Sequence, residues 1–537
     1  MGHHKAAICA LLAACGWLGG TVPSVDAAQL TTSVGSVKLD LVGQTSKAAM
    51  KVLRAAMAKV HGDSGSAAYA QQVQDLLRAG GYPFARVAPR SGGSSRLLVA
   101  FGELDGLPRF QISPKLDAQR LQSMYLKALC PKRPAGAGCI VRSHNLERAT
   151  ALVSLQPEVK DLNLEVDPET SDPNGRIGLT VKVRGHKKPV RIATTVDDFG
   201  APGLGRMNAG LTVSATNLIP GGSLSAQLSS SNKREVTGGA SWTQGLGADG
   251  VAMTAQVSRT TYSEPIPAVG TIDGSATSAS LGLSYPVAMN FDRVFKVNGD
   301  VGVADSRSSL TSLGTLQKRR IPYFDLTVSG GSGLRALGRG RNYDQGTLSL
   351  RVGVPRDGAQ GASAQDSAGP QELGSFSRLS AQFVWHHGLG LSPWSAGVVL
   401  RGQLATRNLD PSQQMSVGGP NGVRGYRADE GGFDDGAIVS LSLARRLKFT
   451  RDVQLSPQAF VDYAVGNSHH QTWDGWNAGS PNLANRRQLG SFGVGLDASA
   501  GKLSASLAVA RQLPGSDVSL AAPSSKTQVW ANAQMLF

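Results

Sequence analysis

Thr527-Gln-Val-Trp-Ala-Asn-Ala-Gln-Met-Leu-Phe537 decides the fold. Every second residue, Thr527, Val529, Ala531, Ala533, Met535 and Phe537, falls on one face, while Gln528, Asn532 and Gln534 fall on the other. Successive side chains of a strand point to opposite sides, so the stretch reads as a β-strand with one apolar and one polar face. The alternation recurs upstream. Leu503, Ala505, Leu507 and Val509 oppose Ser504 and Ser506, and Leu348, Leu350, Val352 and Val354 oppose Thr347, Ser349 and Arg351. From about Val190 onward, roughly sixteen such segments are separated by clusters of Gly, Asn, Asp, Pro and Ser. A soluble sandwich or propeller alternates too, but its strands end more often in charged residues. Phe537, an aromatic on the apolar face, suits the closing strand of a membrane barrel and its assembly signal. The aromatic content of 6% is low for the girdles of such a barrel.

Composition agrees with short strands and turns. The 537 residues include 66 Gly and only 17% charged residues. Beyond the N-terminus no apolar run reaches the length of a membrane helix. The first residues fit a secretory signal over 1–27: Lys5 ends a basic stretch, Ala6 to Gly20 is mainly apolar, and Val25-Asp26-Ala27 offers small residues for cleavage. Leu12-Ala13-Ala14-Cys15 alternatively resembles a lipoprotein box. Cys9 and Cys15 belong to this segment, which leaves Cys130 and Cys139 as the pair of the exported chain. In an oxidising compartment they are expected to form a disulfide, since no further Cys or His completes a zinc site. The net charge of +16 is scattered rather than clustered with aromatics. It points to a basic pore or acidic partners, not to nucleic acid.

Ahead of the barrel, 28–187 mixes helix and strand patterns. Val34–Val42 reads as a strand, Ser46–Val60 and Ala67–Arg78 as helices, and Phe84–Val87 and Arg96–Phe101 as strands. The order recurs with a strand at Arg109–Ile112, helices at Asp117–Leu129 and Asn145–Leu155, and strands at Lys160–Val166 and Arg176–Val183. Two tandem units, 28–104 and 105–187, are therefore expected before a barrel at 188–537. Each would hold a three-stranded sheet with an open edge able to accept an extended peptide.

A long non-strand segment, 406–435, interrupts the barrel pattern and holds Val423-Arg424-Gly425-Tyr426. A loop of this length is usually functional or disordered. Were it folded into the lumen, Arg424 would need a carboxylate, because an unpaired buried guanidinium is costly. Asp462 is a candidate. In Phe460-Val461-Asp462-Tyr463 the apolar face carries Val461 and Tyr463, so Gln458, Phe460 and Asp462 face the pore. From spacing alone, a solvated Arg424 and an Asp462 that merely polarises the wall stay open.

Together, the signal, the two units, the strands, the tetrad Val423–Tyr426 and the core Phe460-Val461-Asp462 resemble the two-partner-secretion transporters of the haemolysin secretion/activation (TpsB) type. Gly81-Tyr82 leading into Ala85-Arg86-Val87, and Asn145–Leu155, are similar to that family's POTRA domains. The resemblance implies a 16-stranded antiparallel transmembrane barrel behind a periplasmic POTRA tandem. It also implies that Arg424 and Asp462 lock the loop, and that the pore exports an unfolded, β-helical secreted partner. Outer-membrane lipid and the barrel-assembly machinery are the other implied partners. The family's strand motif continues with Gly where this chain has Ala464, with Gly466 two positions on. No plug helix is legible before the first unit. An insertase of other barrels, or a porin, are the competing readings; no metal, cofactor or enzyme motif is found, and the adjacent His pairs 386–387 and 469–470 send their rings to opposite faces of a strand.

Overall fold

The computed structural model describes residues 30–537, apart from 35–36, 44, 65, 91–95, 132–138, 168–175, 187–188, 267–269, 311–313, 333–341, 360, 451, 479–482 and 522–524. The expected signal and the Cys15 alternative lie outside the described residues. The chain divides near residue 187 into two compact units.

In the first, Ser46 caps the helix Lys47–Met57 by accepting a hydrogen bond from the Ala49 N–H, and Ser66 caps Ala67–Ala79 through the Tyr69 N–H. The apolar stripes Ala49, Leu53 and Ala56, and Tyr69, Val73 and Leu77, share one core with Leu39, Leu41, Leu97 and Val99 of the sheet. That sheet has four strands, in the order Leu30–Val34, Val37–Val42, Arg96–Ala100, Arg86–Pro89. The single strand expected at Val34–Val42 is thus two antiparallel strands, with Val34 opposite Val37. Strand periodicity alone passes over such a reversal.

The second α/β repeat centres on Arg176–Gly185. This strand pairs parallel with Arg109–Ile112 and antiparallel with Val159–Asp167. A short parallel pairing with Glu103–Leu104 adds a fourth strand to the three expected. Helices Ala118–Leu129 and Ser143–Ser154 carry the buried residues Leu121, Met124, Leu146 and Leu152. Cys130 and Cys139, each buried, form a disulfide with a Cα–Cα distance of 6.1 Å. It ties the end of one helix to the segment leading into the next, and closing so short a loop contributes about 2–3 kcal/mol.

From Val190–Asp197 to Thr527–Leu536, sixteen long strands among the described residues form a closed antiparallel barrel. Arg356–Asp357 and Leu447–Lys448 are short additions to it. Closure joins Asn532–Leu536 to Ala193–Asp197, and the Phe537 N–H donates to the Ile192 carbonyl at 2.9 Å. The alternation read from sequence sorts the faces. Leu348, Leu350, Val352, Leu503, Leu507, Val529, Met535 and Phe537 are exposed outward. Gln528 and Trp530, of opposite parity, are buried inside. No helix among the described residues is long and apolar enough to cross a membrane. Strands do so here, because a closed sheet leaves no backbone group unpaired toward lipid. The turns 217–221 and 247–250 lie at the end where Val190 begins, whereas the loops 354–375, 406–434, 468–485 and 513–526 lie at the opposite end.

Candidate functional site

The long loop connects the eleventh strand, Trp394–Ala405, to the twelfth, Asp435–Arg445. It ends one residue earlier than expected, because Asp435 already pairs with Asn467. Inside it, Met415–Ser416 and Gly432–Phe433 form a two-stranded ribbon that carries the tetrad toward the barrel wall. Val423 and Tyr426 are fully buried in an apolar cluster with Met415, Val417 and Phe433 of the loop and Ile438, Ala464 and Leu489 of the wall. These inward-facing apolar wall residues lie under the loop, where a water-filled lumen would instead favour polar ones.

Arg424 and Asp462 meet. The guanidinium grips the carboxylate with two bonds, Nε to Oδ2 at 2.8 Å and Nη2 to Oδ1 at 2.6 Å, and the Arg424 backbone N–H adds a third to Oδ2 at 3.0 Å. Ser440 and Ser491 donate hydroxyls to the two carboxylate oxygens, and Ser440 also accepts from Nη2 at 2.9 Å. Asp462 is 0% exposed and the Arg424 side chain 15%. A carboxylate this buried is tolerable because every lone-pair direction finds a donor. Phe460, two residues before Asp462 on the same inward face, lies beneath the guanidinium at 3.3 Å from ring centroid to Cζ. On the other side the Trp530 indole N–H donates to the Arg424 carbonyl at 2.7 Å, and Gln512 donates to that of Gly425 at 3.2 Å. The Tyr426 hydroxyl donates to the Asp517 carbonyl at 3.0 Å.

Gly425 has a steric reason. A Cβ there would stand 2.7 Å from the Ser491 Cβ and 3.1 Å from the Gln512 N, so only a glycine lets the loop backbone lie this close to the wall. The displaced glycine of the strand motif has one too. A Cβ on Gly466 would stand 2.4 Å from the Phe433 ring, so this position makes room for the loop's aromatic, while Ala464 packs in the cluster itself.

Sequence reading missed several fastenings. Arg487, 3% exposed, donates to Glu430 at 2.6 Å, and Glu430 accepts from the Leu520 N–H at 2.8 Å and from the Ser519 hydroxyl. Arg319 pairs with Asp357, with Glu372 at 2.9 Å and with Asp410 at 3.6 Å, which joins the loops 354–375 and 406–434. Arg351 holds Asp325 and also Gln413 of the loop. Ser440, Ser491 and Trp530 carry no local signal, because they reach the site through strand register. His386 and His387 do face opposite ways, one stacked on Tyr343 and the other on Trp385.

A family model described as haemolysin secretion/activation protein ShlB/FhaC/HecB matches residues 175–482. The solved structure of CdiB from Escherichia coli superposes with a TM-score of 0.72 at 16% identity, covering 97% of this chain and 93% of that one. CdiB from Acinetobacter baumannii gives 0.67 at 16% identity over the same shares. The heme/hemopexin transporter protein HuxB of Haemophilus influenzae is 30% identical over 115 residues, a match that spans 21% of this chain and 20% of the relative.

Proposed function

The chain belongs to the haemolysin secretion/activation family, and from that membership we infer that it is a protein-translocating pore of two-partner secretion. It is an outer-membrane barrel whose N-terminal α/β units face the periplasm. Open sheet edges in those units capture an extended, unfolded secreted partner by strand addition, and the polar lumen passes that partner outward. The partner's fold is β-helical, and the barrel itself reaches the lipid through the barrel-assembly machinery. Folding of the cargo outside biases its movement, so no nucleotide is required.

The observation that most supports this reading is the bidentate Arg424–Asp462 pair holding a long loop inside the barrel. Neither a solute pore nor an insertase finds support in a match to secretion/activation proteins. Arg424 and Asp462 act as positioning residues that keep the loop in its transport-competent place. The Arg424→Ala variant is expected to insert normally, with unchanged heat-modifiable migration, and to lose export of its secreted partner. Wild-type export from that variant overturns the assignment.

A further inference from the structure

The inner wall of the barrel divides by charge around its circumference. On the strands Asn208–Thr216, Gly222–Ser231, Glu235–Leu246, Val251–Ile266 and Gly270–Met289, the outward positions Leu211, Leu228, Val236, Val257 and Leu281 belong to the apolar band. Residues of the other parity face the lumen, and at mid-strand they are hydroxyls and carboxamides. Ser214, Ser225 and Ser241 stand in register across the first three of these strands, as Gln256 and Ser280 do across the last two. The Thr243 and Thr254 hydroxyls, 3.1 Å apart, join the two groups. Among the described inward residues of these strands, the charged ones are Glu235 and Glu264, at the end that bears the long loops. The next strand changes the wall. Asp300 stands opposite Asp325, Asp325 opposite Arg351 and Arg351 opposite Arg378. Arg351 grips Asp325, and both arginines hold Gln413 of the long loop. The eleventh to sixteenth strands then carry the seat of that loop.

The neutral sector holds a depression of about 300 Å³, lined by Ser225, Gln227, Ser241, Gln256, Ser258 and Ser278. Gly239 deepens it, since a Cβ there would stand 3.4 Å from the Gln227 amide nitrogen and 3.5 Å from the Ser258 Cβ. An extended polypeptide presents backbone donors and acceptors at every residue, about 3.4 Å apart, and side chains of both charges. Fixed charges on a wall hold some of its segments and repel others. Hydroxyls and carboxamides both donate and accept, so they replace water on a passing amide whatever the sequence. The bonds Gln256 to Ser280 and Ser258 to Ser278, each 2.8 Å, leave the hydroxyl oxygens a further lone pair for such an amide.

We propose that this neutral sector, centred on Gln227, Ser241 and Gln256, is the track along which an extended polypeptide crosses the barrel, away from the loop and without selection by charge. It rests on the secretion reading for its cargo and is tested without that cargo. Single channels of the purified full-length protein in a planar bilayer meet Gly-Ser repeat peptides of about thirty residues, long enough when extended to span the barrel, in neutral, Lys-rich and Glu-rich versions. In about 1 M KCl a charge is felt over only about 3 Å, so a wall residue acts on a peptide that touches it. All three peptides are expected to block the wild-type channel, with dwell times that agree within about two-fold. Ser241→Asp/Gln256→Glu is expected to lengthen Lys-rich blockades and shorten Glu-rich ones, each by at least about three-fold. Ser241→Asp alone serves if the double variant fails to insert. Ser499→Asp/Ser504→Asp, inward on the fourteenth and fifteenth strands, is expected to keep wild-type dwell times. Absence of blockade by the neutral peptide, wall variants with wild-type dwell times, or an equal response from the Ser499/Ser504 variant overturns the track. Loss of export by Arg424→Ala together with any of these results refutes the track and leaves the secretion reading standing.

Discussion

At the residue scale the lock is asymmetric. Asp462 is closed off from water and satisfied entirely by the loop and its neighbours, whereas Arg424 keeps a sliver of exposure. Removing the charge from the carboxylate strands the guanidinium against Phe460 and Ser440. Asp462→Asn should therefore cost about 3 kcal/mol of loop anchoring, the lower end of what breaking a buried pair costs. Faster proteolysis between 415 and 434 of the folded barrel is the readout, and unchanged cleavage contradicts it. Gly425→Ala tests the backbone instead. Its methyl meets Ser491 and the backbone near Gln512, so about 1–3 kcal/mol of strain is expected with the ion pair chemically intact. Export should fall while Arg424 and Asp462 are unaltered, and full export by Gly425→Ala argues against close approach as the reason for the glycine.

At the scale of elements, the loops 354–375 and 406–434 share a cluster whose charge depends on pH. Burial pushes the Glu372 carboxyl up to about 7 from its ordinary 4.5, against the pull of Arg319, while Asp410 and Asp366 add to the rise. The folded state thus holds a proton there that the unfolded chain has released. The stability it contributes is full below about pH 4.5 and is lost as pH climbs toward 7. Amide protection factors over 362–375, with the intrinsic base-catalysed rate divided out, should be higher at pH 5 than at pH 8, and Glu372→Gln should remove that difference. In the N-terminal unit, reduction of Cys130–Cys139 should remove about 2–3 kcal/mol and make 118–154 the first segment cut by protease. How legible each element was follows from its own physics. Helices with a Ser cap and a single apolar stripe, such as Lys47–Met57, declare themselves locally, and so do strands that alternate between lipid and lumen. The pair Glu430–Arg487 did not, since its partners lie on a loop and a strand brought together only by barrel closure. Arg424 and Asp462 were readable as residue types and faces, but their pairing took a family resemblance to single out from the bland alternatives.

For the whole molecule the two faces of each strand should respond oppositely to charge. Val301, 57% exposed in the middle of the apolar band, should cost about 2–4 kcal/mol as Val301→Arg in a bilayer, whereas Ser280→Arg on the lumenal face should cost far less. Urea midpoints of the barrel in lipid vesicles measure both, and similar shifts would contradict the assigned orientation. The tetrad's partners also set an order of events. Ser440, Asp462, Ser491, Gln512 and Trp530 come from the twelfth to the sixteenth strands in turn, and Trp530 follows Arg424 by 106 residues. The loop is made well before most of its resting place exists. It cannot settle until the final strand has arrived, so a seated loop is a sign of a completed cylinder, and a barrel stalled short of its last hairpin is left with its tetrad unmoored.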